Sequence, residues 1–258
     1  MELNLVQTIA IYALPVVFAI TLHEAAHGYV AKHFGDLTAY AEGRVSLNPL
    51  RHIDPIGTIA LPLALLAISK LFAGSGILFG WAKPVPVNFA NLRRPKRDML
   101  WVAAAGPFSN LVMALVWAGA VKVAISMPGQ YFALPLALMG AAGVFVNAII
   151  MVLNLMPLPP LDGGRILVSL LPQRLAYNVS RIEPYGFMIL IVLLFSGMLG
   201  MILWPAIGLM LRLIAGMIGL PVTDLLKLAN VRLPVEPVPD LLDDRVSGDG
   251  KDRVHAPT

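Results

Sequence analysis

The chain of 258 residues contains no cysteine, so it can form neither a disulfide framework nor a thiolate metal site. Any metal must be held by His, Asp or Glu. Charge is scarce as well, at 13% of residues, against roughly 25% in an ordinary soluble domain. With 58% hydrophobic residues and a mean hydropathy of +0.77, that shortage excludes a typical water-soluble enzyme. The net charge of +4 does not point to nucleic acid, because Lys and Arg placed beside anionic lipid give membrane proteins such an excess. The chain has no internal repeat, no low-complexity tract and no recognisable PDZ-like or CBS-like module.

What the chain has in abundance is apolar length. Residues 5–31 are long enough for about 40 Å of helix, against a hydrocarbon core of ~30 Å. No Lys or Arg precedes this run, so it is expected to be a retained helix rather than a cleaved leader. Further apolar segments follow at 55–80, 99–125 and 131–156, with a short piece at 166–171 and a final run at 186–220. The expectation is an all-α polytopic membrane protein with five to six membrane segments. Residues 1–220 would form the membrane-embedded domain and 221–258, with five prolines, a poorly ordered tail. The final run would measure about 52 Å as one helix. Gly197, Gly200 and Pro205 offer breaks, and the run is expected to span before Pro205 and lie at the interface after it, where Arg212 can snorkel; a two-helix hairpin is the alternative. Carrying no ligand, it is either a mobile gate or a static packing helix.

Basic residues set the expected topology. Lys32, Arg44 and Arg51 precede the segment 55–80, and Lys83, Arg93, Arg94, Lys96 and Arg97 follow it. A single crossing there would make the positive-inside rule point both ways. Placing both stretches on the cytoplasmic side makes 55–80 a re-entrant segment, interrupted by Pro62, Lys70, Gly74 and Gly76. GRVSLN (43–48) and KPVPVN (83–88) read as short strands flanking it, a small membrane-associated β element to which an extended substrate can add. Pro84 and Pro86 cannot donate, so only one edge of the second strand can pair.

The chemistry is concentrated at His23-Glu24-Ala25-Ala26-His27. On a helix, residues i and i+4 share a face, so both imidazoles reach one metal and Glu24 sits beside the water it would activate. Three ionisable groups within five residues of a membrane helix are expensive to bury and mark a functional site. Two histidines need a third ligand, with a fourth position left for water. Three residues compete for it. His33 lies ten residues after His23, but the turn glycine of the HExxHxxGxxH pattern is replaced by Val30, so His33 faces away from His27. Glu42 is a second candidate. Asp162 is the third, in a Pro- and Gly-rich break of the kind tolerated at membrane depth only where it is buried or lines a watery cavity. A channel or transporter using intramembrane His and Asp is the rival reading, although it has no need of the HExxH spacing.

HEAAH, together with NLMPLPPLDGGR (154–165), AGPFSN (105–110) and FGWAKPVPVN (79–88), resembles the site-2 protease family of intramembrane zinc metalloproteases, in its compact prokaryotic form. The resemblance covers roughly residues 8–172. It implies one zinc ion per chain held by His23, His27 and Asp162, with Glu24 as general base and acid. It also implies that Asn154 holds the substrate or its oxyanion. Gly106, Asn110 and Asn147 read as packing residues. The implied activity is hydrolysis of peptide bonds within or near transmembrane segments of membrane protein substrates. The implied location is the cell membrane, multi-pass, with the active site near the cytoplasmic face. A catalytically inactive scaffold of the same family is a further alternative.

Overall fold

The structure, a computed structural model, describes residues 4–61, 64 and 82–229. Helix α1 spans Leu5–His33. Asn4 starts it through a reciprocal cap, its side chain accepting from Gln7 N–H at 2.9 Å and its own N–H donating to Gln7 Oε1 at 3.0 Å. A single helical turn, Thr38–Ala41, follows. Helix α2 spans Pro95–Ser126 and begins with Pro95 in its first turn. Asp98 accepts from Arg94 N–H at 2.8 Å at that end. The remaining helices are α3 (Ala133–Asn154), α4 (Asp162–Leu170), α5 (Gln173–Ser180), α6 (Glu183–Phe195), α7 (Met198–Ile218) and α8 (Val222–Leu228).

Four of these helices, α1, α2, α3 and α7, are long and apolar enough to cross a membrane, and α5 with α6 forms a pair bent by 59° that makes a fifth candidate. The chain is therefore a multi-pass membrane protein. Four or five candidate spans stand among the described residues where five to six segments were expected, and most of the proposed re-entrant segment 55–80 lies outside those residues.

The main core joins α2, α3, α7 and α8. Trp117, Val121, Val144, Leu211, Ile214 and Leu225 are buried within it. Small residues let α2 and α3 approach closely, as apolar packing between membrane helices requires. A β-carbon on Gly140 would lie 2.8 Å from Val121 Cγ2, and one on Gly143 would run into the Trp117 indole.

Two expectations need correction. The final apolar run does not divide at Pro205. It breaks at Gly197, which takes a left-handed φ of 76°, and α7 then runs through Pro205 to Ile218. The part after Pro205 is not interfacial, because Ile207, Met210, Leu211 and Ile214 are buried against α2 and α3. Beyond residue 220, α8 packs on α3 and α7, with Leu225 and Ala229 buried, and residues 230–258 lie outside those described. Finally, no strand is present among the described residues, so the small β element is not seen. Residues 83–88 form no ladder; side chains and a loop carbonyl instead take the Lys83, Val85 and Asn88 N–H groups and the Lys83 and Pro84 carbonyls.

Those bonds place both loop stretches at one end of the bundle. Lys83 N–H donates to His52 O at 2.9 Å, and Arg93 N–H donates to Phe34 O at 3.0 Å. Residues 34–54 and 82–94 thus meet at the C-terminal end of α1.

Candidate metal centre

His23 and His27 occupy successive turns of one face of α1, both buried, with their Nε2 atoms 3.1 Å apart. Asp162 comes from the first turn of α4 and puts Oδ2 3.2 Å from His23 Nε2 and 3.3 Å from His27 Nε2. Gly163 and Gly164 allow that approach: a β-carbon on the first would collide with the Leu155 carbonyl and one on the second with the backbone at Pro159. The short helix can therefore begin tight against the loop that precedes it.

The second nitrogen of each imidazole defines its protonation. His27 Nδ1 lies 2.7 Å from the carbonyl of Val102, which can only accept, so Nδ1 carries the hydrogen. Pro107 supports this geometry, since it cannot donate to the Ala103 carbonyl and so loosens the helical ladder next to Val102. His23 Nδ1 lies 2.6 Å from Asn110 Oδ1. The Asn110 amide is oriented in turn, because its Nδ2 donates to Ala19 O at 3.2 Å and to Asn147 Oδ1 at 2.9 Å, while Asn147 Nδ2 donates to Gly143 O at 2.8 Å. A relay of amides from α3 through α2 thus sets the His23 ring, as outer-sphere partners do for metal-bound histidines.

With both rings neutral, their Nε2 lone pairs face the Asp162 carboxylate, whose Oδ2 is buried without a hydrogen-bond partner. Three acceptor atoms at these separations repel one another unless a cation lies among them. A tetrahedral zinc ion with ligand distances near 2.05 Å sets neighbouring ligand atoms about 3.3 Å apart, which is the spacing found. The residues fit a metal. Gly106 leaves room for the imidazoles: a β-carbon there would sit 2.6 Å from His23 Nε2 and closer still to His27 Nε2.

Among the described residues, His23, His27 and Asp162 form the group able to hold a metal ion. The rivals lie elsewhere. His33 is exposed and meets the Phe34 ring edge-on, and Glu42 is exposed in the loop after α1. Glu24 is half-buried, and its Oε2 accepts from Val85 N–H at 2.8 Å. Asn154, the last residue of α3, donates from Nδ2 to Ile150 O at 3.0 Å within its own helix. Reading Gly106 and Asn110 as packing residues missed their part in the site. Their i, i+4 spacing on one helix was the available signal, since it places both on the same face of α2.

The model of peptidase family M50 matches residues 118–197, a span that contains Asn154 and Asp162. The protein named "Putative zinc metalloprotease YwhC" of Bacillus subtilis is 36% identical over 203 residues, covering 74% of this chain and 83% of that protein. "Putative zinc metalloprotease Rip2" of Mycolicibacterium smegmatis is 28% identical over 178 residues, 69% of this chain and 64% of that one. The protein of the same name from Mycobacterium tuberculosis H37Rv is 29% identical over 179 residues, covering 68% and 62% respectively. No solved structure matches the chain. With more than four fifths of the Bacillus protein matched at this identity, around a buried His-His-Asp centre, the chain belongs to peptidase family M50, the site-2 protease family.

Proposed function

We propose that the chain is an intramembrane zinc endopeptidase that hydrolyses peptide bonds within or near transmembrane segments of other membrane proteins. The observation that carries this reading is the convergence of three buried acceptors, with Asp162 Oδ2 unpartnered, and the Glu24 carboxylate adjacent to His23 on α1. Neither an ion pathway nor an inactive scaffold requires two histidines whose Nδ1 hydrogens are both committed away from the centre.

When bound, zinc supplies a Lewis acid for the scissile carbonyl and acidifies a water molecule. His23, His27 and Asp162 would hold that ion, and Glu24, as general base and then acid, would take a proton from the attacking water and return it to the leaving amine. Asn154 has a second amide hydrogen beyond the one given to Ile150 O, and turning this group towards the cleaved bond supports the oxyanion. The substrate must unwind locally, because a helix hides its carbonyls in backbone hydrogen bonds. His23 lies about 27 Å along α1 from Leu5, so cleavage takes place inside the bilayer near the face opposite the N-terminus. The basic residues of 83–97 make that face cytoplasmic.

The test is a strain whose only copy carries Glu24→Gln. It should accumulate an uncut membrane protein while the purified variant retains zinc. An unchanged membrane proteome, or wild-type cleavage by the variant, would overturn the reading.

A further inference from the structure

Residues 83–88 lie against α1 as a strap in which the Lys83, Val85 and Asn88 N–H groups each have a partner. Lys83 N–H goes to His52 O, and Asn88 N–H goes to Asp36 Oδ2 at 2.8 Å. Pro84 and Pro86 have no N–H, so Val85 supplies the donor between them, and that donor is held by Glu24. Val85 is itself buried, and its side chain packs where Gly28 leaves space on α1. The Val85 N–H, at least, is not free to receive an added substrate strand. What it does instead is hold a carboxylate.

Among the described residues no strand pairs with the strap, and apart from the His52 carbonyl its anchors are side chains. Arg44, only 7% exposed, donates from Nη2 to the carbonyls of Lys83 at 2.8 Å and Pro84 at 3.2 Å. These are the two carbonyls that immediately precede the Val85 N–H. At the far end, fully buried Asp36 holds Asn88.

We propose that Arg44 is a positioning residue for Glu24: by clamping the Lys83 and Pro84 carbonyls it aims the Val85 N–H at one carboxylate oxygen and so fixes the reach of the other. This rests on Glu24 being the general base. A misplaced base loses rate without losing substrate affinity, and a displacement of about 1 Å can cost a hundredfold. Lysine offers a point charge able to meet one of the two carbonyls, so it replaces arginine only in part.

Hydrogen–deuterium exchange tests the contact directly in the full chain, because the stretch 84–86 carries a single exchangeable amide, that of Val85. Arg44→Gln should speed exchange there at least tenfold with zinc content unchanged. In cleavage of the membrane protein that accumulates in the Glu24→Gln strain, it should lower kcat ten- to a hundredfold with KM within twofold. Arg44→Lys should fall between Arg44→Gln and wild type in both readings, and it carries the test if Arg44→Gln does not fold. Glu24→Ala, which removes the acceptor, should speed Val85 exchange as much as Arg44→Gln does. Wild-type exchange in Glu24→Ala, faster exchange with unchanged kcat, or a loss confined to KM would each overturn the proposal. Cleavage by Glu24→Gln with Val85 still protected would instead remove the general-base reading and leave the strap contact standing, so the two failures are distinguishable.

Discussion

At His23 and His27 the Nδ1 hydrogens do as much to define the centre as the Nε2 lone pairs, because each is committed to an acceptor that fixes the ring. Removing such a partner typically weakens metal binding ten- to a hundredfold. Asn110→Leu should therefore lower zinc affinity by that factor in a chelator competition while leaving the helical content of the protein unchanged. Gly106→Ala should be more severe, since its methyl would occupy the space of both imidazoles. Metal analysis should find it empty, whereas Gly119→Ala on the same helix, where a β-carbon meets nothing, should bind zinc normally. The residues that gather at the candidate centre were legible in the sequence: HEAAH declares its geometry through helical spacing, and Asp162 lies in the segment that resembles the family's second signature. Asn110 was not, because an asparagine that packs and an asparagine that orients a histidine look alike until the partner across 87 residues is placed beside it.

The element least legible was the extended strap. Alternation in KPVPVN points to a strand, yet strand identity depends on the neighbour, and here Glu24, Arg44 and Asp36 take the backbone groups that a ladder would use. Side-chain-to-backbone bonds of this kind leave no periodic trace. Asp36 gives the strap a pH dependence. Burial alone would raise the pKa of this carboxyl, but bonds from Thr38 Oγ, Thr38 N–H, Asn88 N–H and Asn91 Nδ2 outweigh it and hold the group below the usual carboxylate range. A folded-state pKa below the unfolded one stabilises the protein above the unfolded value, near 4, and that contribution is lost as pH falls through the lower, folded value. Unfolding followed from pH 6 downward should show a smaller acid-side loss in Asp36→Asn than in wild type, from a start lower by about 1–3 kcal/mol. The final apolar run was misplaced for a different reason. Proline is the usual sign of a helix break, but Pro205 sits within α7, while Gly197 takes the positive φ that ends α6. Gly197→Ala should destabilise by about 1 kcal/mol, the cost of a β-carbon in the left-handed region, and Pro205→Ala should not.

For the molecule as a whole, composition and apolar length were enough to read a helical membrane protein, and the basic residues were enough to bring 34–54 and 82–94 to one end. The structure joins those stretches through the His52–Lys83 and Phe34–Arg93 hydrogen bonds. Cysteines at Ser46 and Asn91 should accordingly be labelled from the same side of the membrane, the cytoplasmic one; labelling from opposite sides would separate what the fold holds together. The packing of α8 on α3 and α7 was not readable, because a seven-residue helix after Pro221 carries too little periodicity to stand out beside a polar tail. Tyr12 Oη, which donates to the Ala229 carbonyl at 2.5 Å, ties that last turn back to α1 and so to the helix that carries both histidines. Whether this helix and α4 close on a metal ion is tested most directly by metal content. Purified wild-type protein should contain one zinc per chain, Asp162→Ala should lose most of it, and His33→Ala should keep it. Zinc retained in Asp162→Ala and lost from His33→Ala would contradict the account.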